Sequence, residues 1–155
     1  MESRIEIRRM CEADIPDVAA IEASSFSLPW SENGFRTALG RRDTVFFVAT
    51  VDDRIVGYAG FYTCLDQADI TNVAVSSEYK RRGIGKMLLD AVISACVSKG
   101  VLMIALEVRA GNESAKALYR KCGFEEVGLR KGFYSTPTED ACVMTRYLET
   151  EDNTC

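Results

Sequence analysis

The sequence contains no histidine. That absence removes Ser-His and Cys-His nucleophile pairs and the common His-containing zinc sites, so a general base has to be a carboxylate, Tyr, Lys or Cys. The six cysteines (Cys11, Cys64, Cys96, Cys122, Cys142, Cys155) are scattered with no C-x-x-C among them, a spacing that offers neither a zinc nor a redox motif. Long apolar runs are missing as well. The longest uncharged stretch, Ile55 to Leu65, holds Gly and Thr and is bounded by charge, well short of the roughly 18 residues a membrane span needs. Met1 to Met10 alternates Ile5 and Ile7 with Glu and Arg and has no apolar run of a secretory signal. Cations are outnumbered, 19 Lys and Arg against 23 Asp and Glu, giving a net charge of -4. A protein that coats nucleic acid needs many phosphate-neutralising cations instead. Together these absences predict a cytoplasmic protein with reduced thiols, no metal, no membrane partner and no direct nucleic-acid partner.

What is there fits one globular domain. The chain has 155 residues, 47% of them hydrophobic and 27% charged, which is an ordinary soluble composition and enough length for a buried core. A single domain is expected over residues 1–148, followed by a flexible polar tail over 149–155. Arg4 to Arg9 alternates as a strand, and Asp14 and Pro16 open a helix carrying Ile15, Val18 and Ile21, with Asp14 as its cap. Ser27-Leu28-Pro29-Trp30 breaks that helix and Ser31 caps a second, short one ending at Gly40. Thr44 to Val51, the turn Asp52-Asp53, and Arg54 to Leu65 read as a hairpin, with Ala68 to Val75 as the next strand. From Ile84 the apolar residues fall at i, i+3, i+4, i+7 and i+8 as far as Cys96, which predicts an amphipathic helix. Val101 to Leu106 reads as a strand buried on both faces, and Ala115, Leu118, Tyr119 and Cys122 mark a last helix stopped by Gly123. Strands near Glu125 to Leu129 and Ala141 to Leu148 complete the order βααβββαβαββ. The fold class is α/β: a mixed sheet of about seven strands with four helices.

The run Lys80-Arg81-Arg82-Gly83-Ile84-Gly85-Lys86 puts four cations at the N-terminus of the strongest helix in the chain. A helix N-terminus carries roughly half a positive charge and unpaired N-H groups, so cations there are unfavourable unless an anion joins them. A phosphate ligand resolves the conflict, because glycine lets it reach the backbone N-H groups; the bland alternative is a solvated charge run on a flexible turn. The run is not a P-loop, since Lys80 stands where the first Gly belongs and Met87 replaces the Ser or Thr that would hold magnesium. Nor is it a dinucleotide fingerprint, because Leu88 occupies the third glycine position. It is similar to the Q/R-x-x-G-x-G/A signature with which GNAT N-acetyltransferases hold the pyrophosphate of coenzyme A, with Lys80 in place of the usual Gln or Arg.

Glu107 is the only acidic residue in Val101 to Val108 and lies at the carboxyl end of its strand, where desolvation would raise its pKa; pairing with Arg109 is the structural alternative. Tyr119 on an apolar stripe is ordinarily a core residue, and Asn112 is well placed to be an N-cap. The block Leu106-Glu107-Val108-Arg109-Ala110-Gly111-Asn112 through Leu118-Tyr119 to Gly123-Phe124 resembles, however, the L-E-V-R-x-x-N-x-x-A-x-x-L-Y-x-x-x-G-F block of the GNAT enzymes that acetylate the N-terminal alanine of a ribosomal protein. Ser25 to Ser31 is similar to their Pro-Trp-Ser loop, and Asn72-Val73-Ala74-Val75 to their coenzyme-binding strand.

The resemblance implies a mostly antiparallel GNAT sheet, acetyl-CoA as cosubstrate without metal, and a protein N-terminus, ribosomal in that branch, as acceptor. The enzyme would be a monomer or weak dimer. It assigns Glu107 as general base, Tyr119 as the acid that protonates the departing thiolate, and Asn112 as a pantetheine contact. Val73, Ala74 and Val75 would pair with pantetheine, and Arg81, Arg82, Gly83, Ile84, Gly85 and Lys86 would hold the pyrophosphate. Pro29, Trp30 and Tyr134 would flank the acceptor peptide, with Phe133 replacing a second family tyrosine. Since no cysteine lies between Glu107 and Tyr119 and none has a His partner, transfer is expected to be direct, in a ternary complex. Two other readings remain open from sequence: acetylation of a small-molecule amine, and a silent acetyl-CoA-binding module.

Overall fold

The computed structural model describes residues 4–148; the polar tail at 149–155, Cys155 included, lies outside the described residues. The strands are β1 (Ile5–Arg9), β2 (Thr44–Val51), β3 (Arg54–Cys64), β4 (Gln67–Val75), β5 (Met103–Arg109), β6 (Glu125–Ser135) and β7 (Thr138–Tyr147). The helices are α1 (Ile15–Ser25), α2 (Glu32–Leu39), α3 (Ile84–Ser98) and α4 (Glu113–Lys121), with 3-10 turns at Glu12–Asp14 and Ser77–Tyr79. The strands form one seven-stranded sheet in the order β1-β2-β3-β4-β5-β7-β6. Element order and strand and helix counts are those expected from sequence. Among the described residues no helix is long and apolar enough to cross a membrane.

The described chain divides into two compact units, 4–62 with 71–92 and 63–70 with 93–148. In the first, β1 and β2 run antiparallel from Ile5↔Val51 to Arg9↔Phe47, and β2 turns into β3 through Asp52 and Asp53. Both turn residues have positive φ, 49° and 68°, a conformation that short polar side chains tolerate and that matches the twist of a two-residue hairpin. The core gathers Ile15 and Val18 of α1, Phe35 of α2, Phe46 and Val48 of β2 and Tyr58 of β3. Phe35 sets its ring edge-on against Phe46 and Tyr58 at 6.1 and 5.7 Å, the tilted geometry that aromatic quadrupoles prefer.

Helix α2 begins as expected, with the Ser31 hydroxyl accepting from the Gly34 N-H at 3.1 Å. Helix α1 does not. Asp14 stands at its N-cap position but makes no side-chain cap bond. Its carboxylate is taken by Arg8, at 2.7 and 2.9 Å, and by the Cys11 N-H at 2.9 Å. A bidentate guanidinium is a stronger partner than a neutral helix amide, so Asp14 ties β1 to the turn before α1.

In the second unit β4 pairs parallel with β5 over only three residues, Gln67↔Met103 to Asp69↔Ala105. β5 pairs antiparallel with β7 along its whole length, from Met103↔Tyr147 to Arg109↔Ala141. The apolar run read as buried on both faces is buried on one. Ile104, Leu106 and Val108 are enclosed, whereas Met103, Ala105 and Arg109 are half-buried and Glu107 is exposed. β6 and β7 are both longer than their sequence patterns indicate and meet in a tight turn at Thr136 and Pro137. Almost every β6 side chain is exposed, and its apolar alternation at Val127 and Leu129 is broken by Lys131, so the pattern stops short of the strand's end.

Arg8 hydrogen bonding holds the Asp14 carboxyl at about 2, below its ordinary 3.8. A depressed folded-state pKa contributes stability that is present above the unfolded value and lost as pH falls through the folded one. The advantage of the native protein over Asp14→Asn in urea midpoint should therefore be constant at neutral pH and shrink between about pH 4 and about pH 2; an unchanged difference over that window would show that the pair contributes nothing.

Candidate active site

The expected site residues fall into two groups, one in each unit. In the first unit β4 delivers Val73 and Val75, half-buried, and Ala74, buried. The β4–β5 ladder takes in only Gln67, Ala68 and Asp69 of β4, so Val73, Ala74 and Val75 are not part of it. After β4 and the turn Ser77–Tyr79 the chain enters α3 through two left-handed residues, Arg81 (φ 66°) and Gly83 (φ 79°). The Gly83 carbonyl accepts the Met87 N-H at 3.0 Å, which starts the helix. A Cβ at Gly83 would meet no atom within 4 Å, so glycine is required there by its backbone conformation, and the space beside it is open.

The cations are exposed, as an anion site needs. Arg82 lies over the Tyr79 ring at 5.0 Å and Lys86 pairs with Asp90 at 2.8 Å. Ile84, by contrast, is 1% exposed; its side chain anchors α3 in the core, leaving only its backbone to face a ligand.

The loop before α2 also lies in this unit. Pro29 is exposed, whereas Trp30 is packed against Phe35 and Phe46 with ring centroids 5.3 and 6.3 Å apart. Its backbone N-H donates to Glu22 Oε2 at 2.9 Å. Glu22 itself is 2% exposed. Its oxygens also accept from the Tyr58 hydroxyl and from Asn72 Nδ2 at 3.2 and 3.3 Å. Leaving any of these buried donors unmet costs about 1–3 kcal/mol.

The second group brings together Glu107, Tyr119 and Tyr134. Glu107 projects from the open face of β5 and keeps 33% of its side-chain exposure, so the expected desolvation is not met. Its cation is Arg130 of β6, at 3.6 Å, and not Arg109. Arg109 instead holds the hairpin turn: it donates to the carbonyls of Pro137 and Thr136 at 2.9 and 3.0 Å, pairs with Glu139 at 3.2 Å and lies over the Tyr134 ring at 4.3 Å. Glu139 accepts in turn from the Gly111 N-H at 2.7 Å. A Cβ on Gly111 would stand 2.8 Å from that carboxylate, so a larger residue would push it away.

Burial raises the pKa of Tyr134, as does the charge of Glu107, while Arg109 opposes both. Tyr119 is 9% exposed and stacks edge-on with Phe124 at 6.0 Å. Burial pushes its pKa well above the ordinary tyrosine value, with Tyr134 contributing in the same sense, so the phenol keeps its proton throughout the physiological range. Asn112 caps α4, its Oδ1 accepting from the Ala115 N-H at 3.2 Å; a ligand contact would fall to its Nδ2 donor.

The family model described as the acetyltransferase (GNAT) family matches residues 15–124. The chain belongs to the GNAT family. It is 39% identical over 133 residues to a Salmonella typhimurium protein named as the ribosomal protein bS18-alanine N-acetyltransferase, spanning 84% of this chain and 89% of that one. The structure of the ribosomal-protein-S18-alanine N-acetyltransferase from Escherichia coli superposes with a TM-score of 0.86 at 31% identity, over 96% of this chain and 98% of that one. Ard1 from Thermoplasma volcanium superposes with a TM-score of 0.87 at 28% identity, over 94% and 98%.

GNAT enzymes use acetyl-CoA, and the anion-compatible entry to α3 in this chain fits a pyrophosphate on its own geometry. Three residues joined to the GNAT candidate site were given no role of their own from sequence: Glu22, Tyr58 and Asn72, the last read only as part of Asn72-Val73-Ala74-Val75. Signals existed for two of them. Glu22 falls four residues after Val18 and seven after Ile15, on the buried stripe of α1, and Asn72 shares an inward strand position with Ile70 and Ala74. A polar residue at an apolar position needs a partner, but the sequence does not say which.

Removing the Arg109 clamp should loosen the β6–β7 turn selectively. Arg109→Gln is expected to cost about 1–2 kcal/mol in urea unfolding and to speed amide exchange around residues 135–139 more than elsewhere. Uniform acceleration across β1, β2 and β7 would instead mean that Arg109 serves the whole fold.

Proposed function

We propose that this chain transfers the acetyl group of acetyl-CoA to the N-terminal alanine of a ribosomal protein, the bS18 protein named for its relatives, directly and in the cytoplasm where that substrate is made. The observation that carries the reading is the grouping within one unit of Glu107, Tyr134 and a protonated, buried Tyr119. A base and an acid stand in distinct environments, one exposed and paired, the other enclosed, which is how two groups of one site hold opposite protonation roles.

Glu107, directly or through one water, takes a proton from the acceptor ammonium. The freed nitrogen forms its bond to the thioester carbonyl carbon as the carbon–sulfur bond breaks, Tyr119 gives its proton to the leaving sulfur, and the second proton shed by the acylated nitrogen returns Tyr119 to the phenol. The backbone of Val73, Ala74 and Val75, outside the β4–β5 ladder, pairs with pantetheine. Arg81 to Lys86 hold the pyrophosphate chiefly through N-H groups at the start of α3, and Pro29, Trp30 and Tyr134 flank the acceptor. The exposure of Glu107 suits a modest task. A peptide α-amine with a pKa of about 8 costs about 1.4 kcal/mol to neutralise at pH 7, whereas a lysine side chain near 10.4 costs about 4.6.

That gap of about 3 kcal/mol corresponds to more than a hundredfold in rate. A peptide with a free N-terminal alanine should therefore be acetylated at least about a hundredfold faster than an N-capped peptide bearing lysine, read by thiol release. Glu107→Gln should lower kcat most at low pH, and Tyr119→Phe should lower kcat with acetyl-CoA affinity retained. A faster capped lysine peptide across about pH 6.5–9, or a small polyamine surpassing both, would overturn the N-terminal assignment.

The entry to α3 has its own test by calorimetry. Gly83→Val forces a β-branched residue to φ 79° and should weaken acetyl-CoA at least about tenfold, whereas Lys80→Gln should change it by less than about threefold. The reverse ranking would mean that side-chain charge, and not the backbone, holds the pyrophosphate.

A further inference from the structure

The buried Glu22 has no place in the acetyl-transfer chemistry above, yet it sits at a junction of the machinery. Its backbone carbonyl accepts the Phe26 N-H at 3.0 Å where α1 ends, and its side chain accepts the Trp30 N-H at 2.9 Å just before Ser31 caps α2. One residue thus brackets the loop Phe26–Trp30 at both ends. Within that loop Phe26 and Leu28 are 42% and 66% exposed, so apolar burial does little to fix its tip. The same carboxyl takes the amide of Asn72, the residue immediately before Val73. Asn72 is 5% exposed, and its Oδ1 is buried without a partner among the described residues. A buried amide normally turns to satisfy both ends; here its orientation serves Glu22 and leaves the oxygen unmet.

We propose that Glu22 is a positioning residue for the acceptor peptide: it fixes the Leu28-Pro29-Trp30 loop and the orientation of Asn72, and touches neither acetyl-CoA nor the reacting amine. The proposal rests on the reading of that loop as part of the acceptor site. A positioning role needs hydrogen-bond geometry and not charge, which separates it from a second base. Glutamine keeps the contact that fixes the loop, its oxygen accepting from Trp30 and its amide donating to an inverted Asn72 Oδ1, while the Tyr58 O-H, which donates to Glu22 in the native protein, gives up that acceptor. Alanine keeps none of these contacts.

Trp30 is the only tryptophan in the chain, so its emission reports the loop without any substrate. Glu22→Ala should shift that emission to the red and raise its quenching by acrylamide. It should also raise KM for an N-terminal alanine peptide at least about tenfold while KM for acetyl-CoA moves less than about twofold. Glu22→Gln should restore both emission and peptide KM. If Glu22→Ala does not fold, Glu22→Asp, which withdraws the carboxyl by one methylene, carries the same expectation. Native emission and native peptide KM in a folded Glu22→Ala or Glu22→Asp would overturn the proposal, as would a Gln variant as impaired as Ala or an equal rise in both KM values. Failure of the native enzyme to acetylate any N-terminal peptide would overturn the acceptor reading instead, and the Trp30 emission of the variants would still decide whether Glu22 holds the loop.

Discussion

The second unit depends on β7, which is laddered on both edges. One edge fixes Glu107 opposite Val143 in β5 and the other fixes Tyr134 opposite Glu139 in β6. Both candidate groups are therefore held by backbone hydrogen bonds to a single strand, and their spacing follows from strand geometry and not from side-chain packing. Arg109 then adds a second constraint, joining the turn carbonyls, Glu139 and the face of Tyr134. Without it, the tip of a hairpin whose β6 side chains bury almost nothing would have little to hold it.

Electrostatics divides the candidate groups by solvent access. Glu107 is exposed and faces a guanidinium at 3.6 Å, whereas Tyr119 is enclosed by Phe124 and its own helix and stays protonated. At the start of α3 the conflict runs the other way: exposed cations are gathered where the helix dipole is already positive, an arrangement that a bound diphosphate makes favourable.

The first unit solves a different problem. Its aromatic core surrounds a carboxyl group whose acceptor capacity is matched to donors from β3, β4 and the loop before α2. Such a network is costly to leave half-satisfied and stiff when complete, which suits a loop whose tip exposes Phe26 and Leu28.

Much of this was legible in the sequence. Periodicities of 2 and 3.6 residues located the helices and most strands because burying one face imposes them locally. The glycine and cation run marked the entry to α3, and the absence of histidine confined the base to a carboxylate or its few rivals. Where the signal failed, the partner was distant in sequence. Asp14 was a cap by local rule and became the partner of Arg8. Glu107 was to be desolvated, with pairing to Arg109 as the alternative, and is instead open and faces Arg130 of β6. The far part of β6 was missed because Lys131 breaks the alternation of Val127 and Leu129 and an exposed edge strand is under no demand to restore it. Glu22 showed only that something polar was buried in α1; that Tyr58, Asn72 and Trp30 would meet it was decided by the tertiary structure alone, because hydrogen bonds form between neighbours in space and leave no periodicity along the chain.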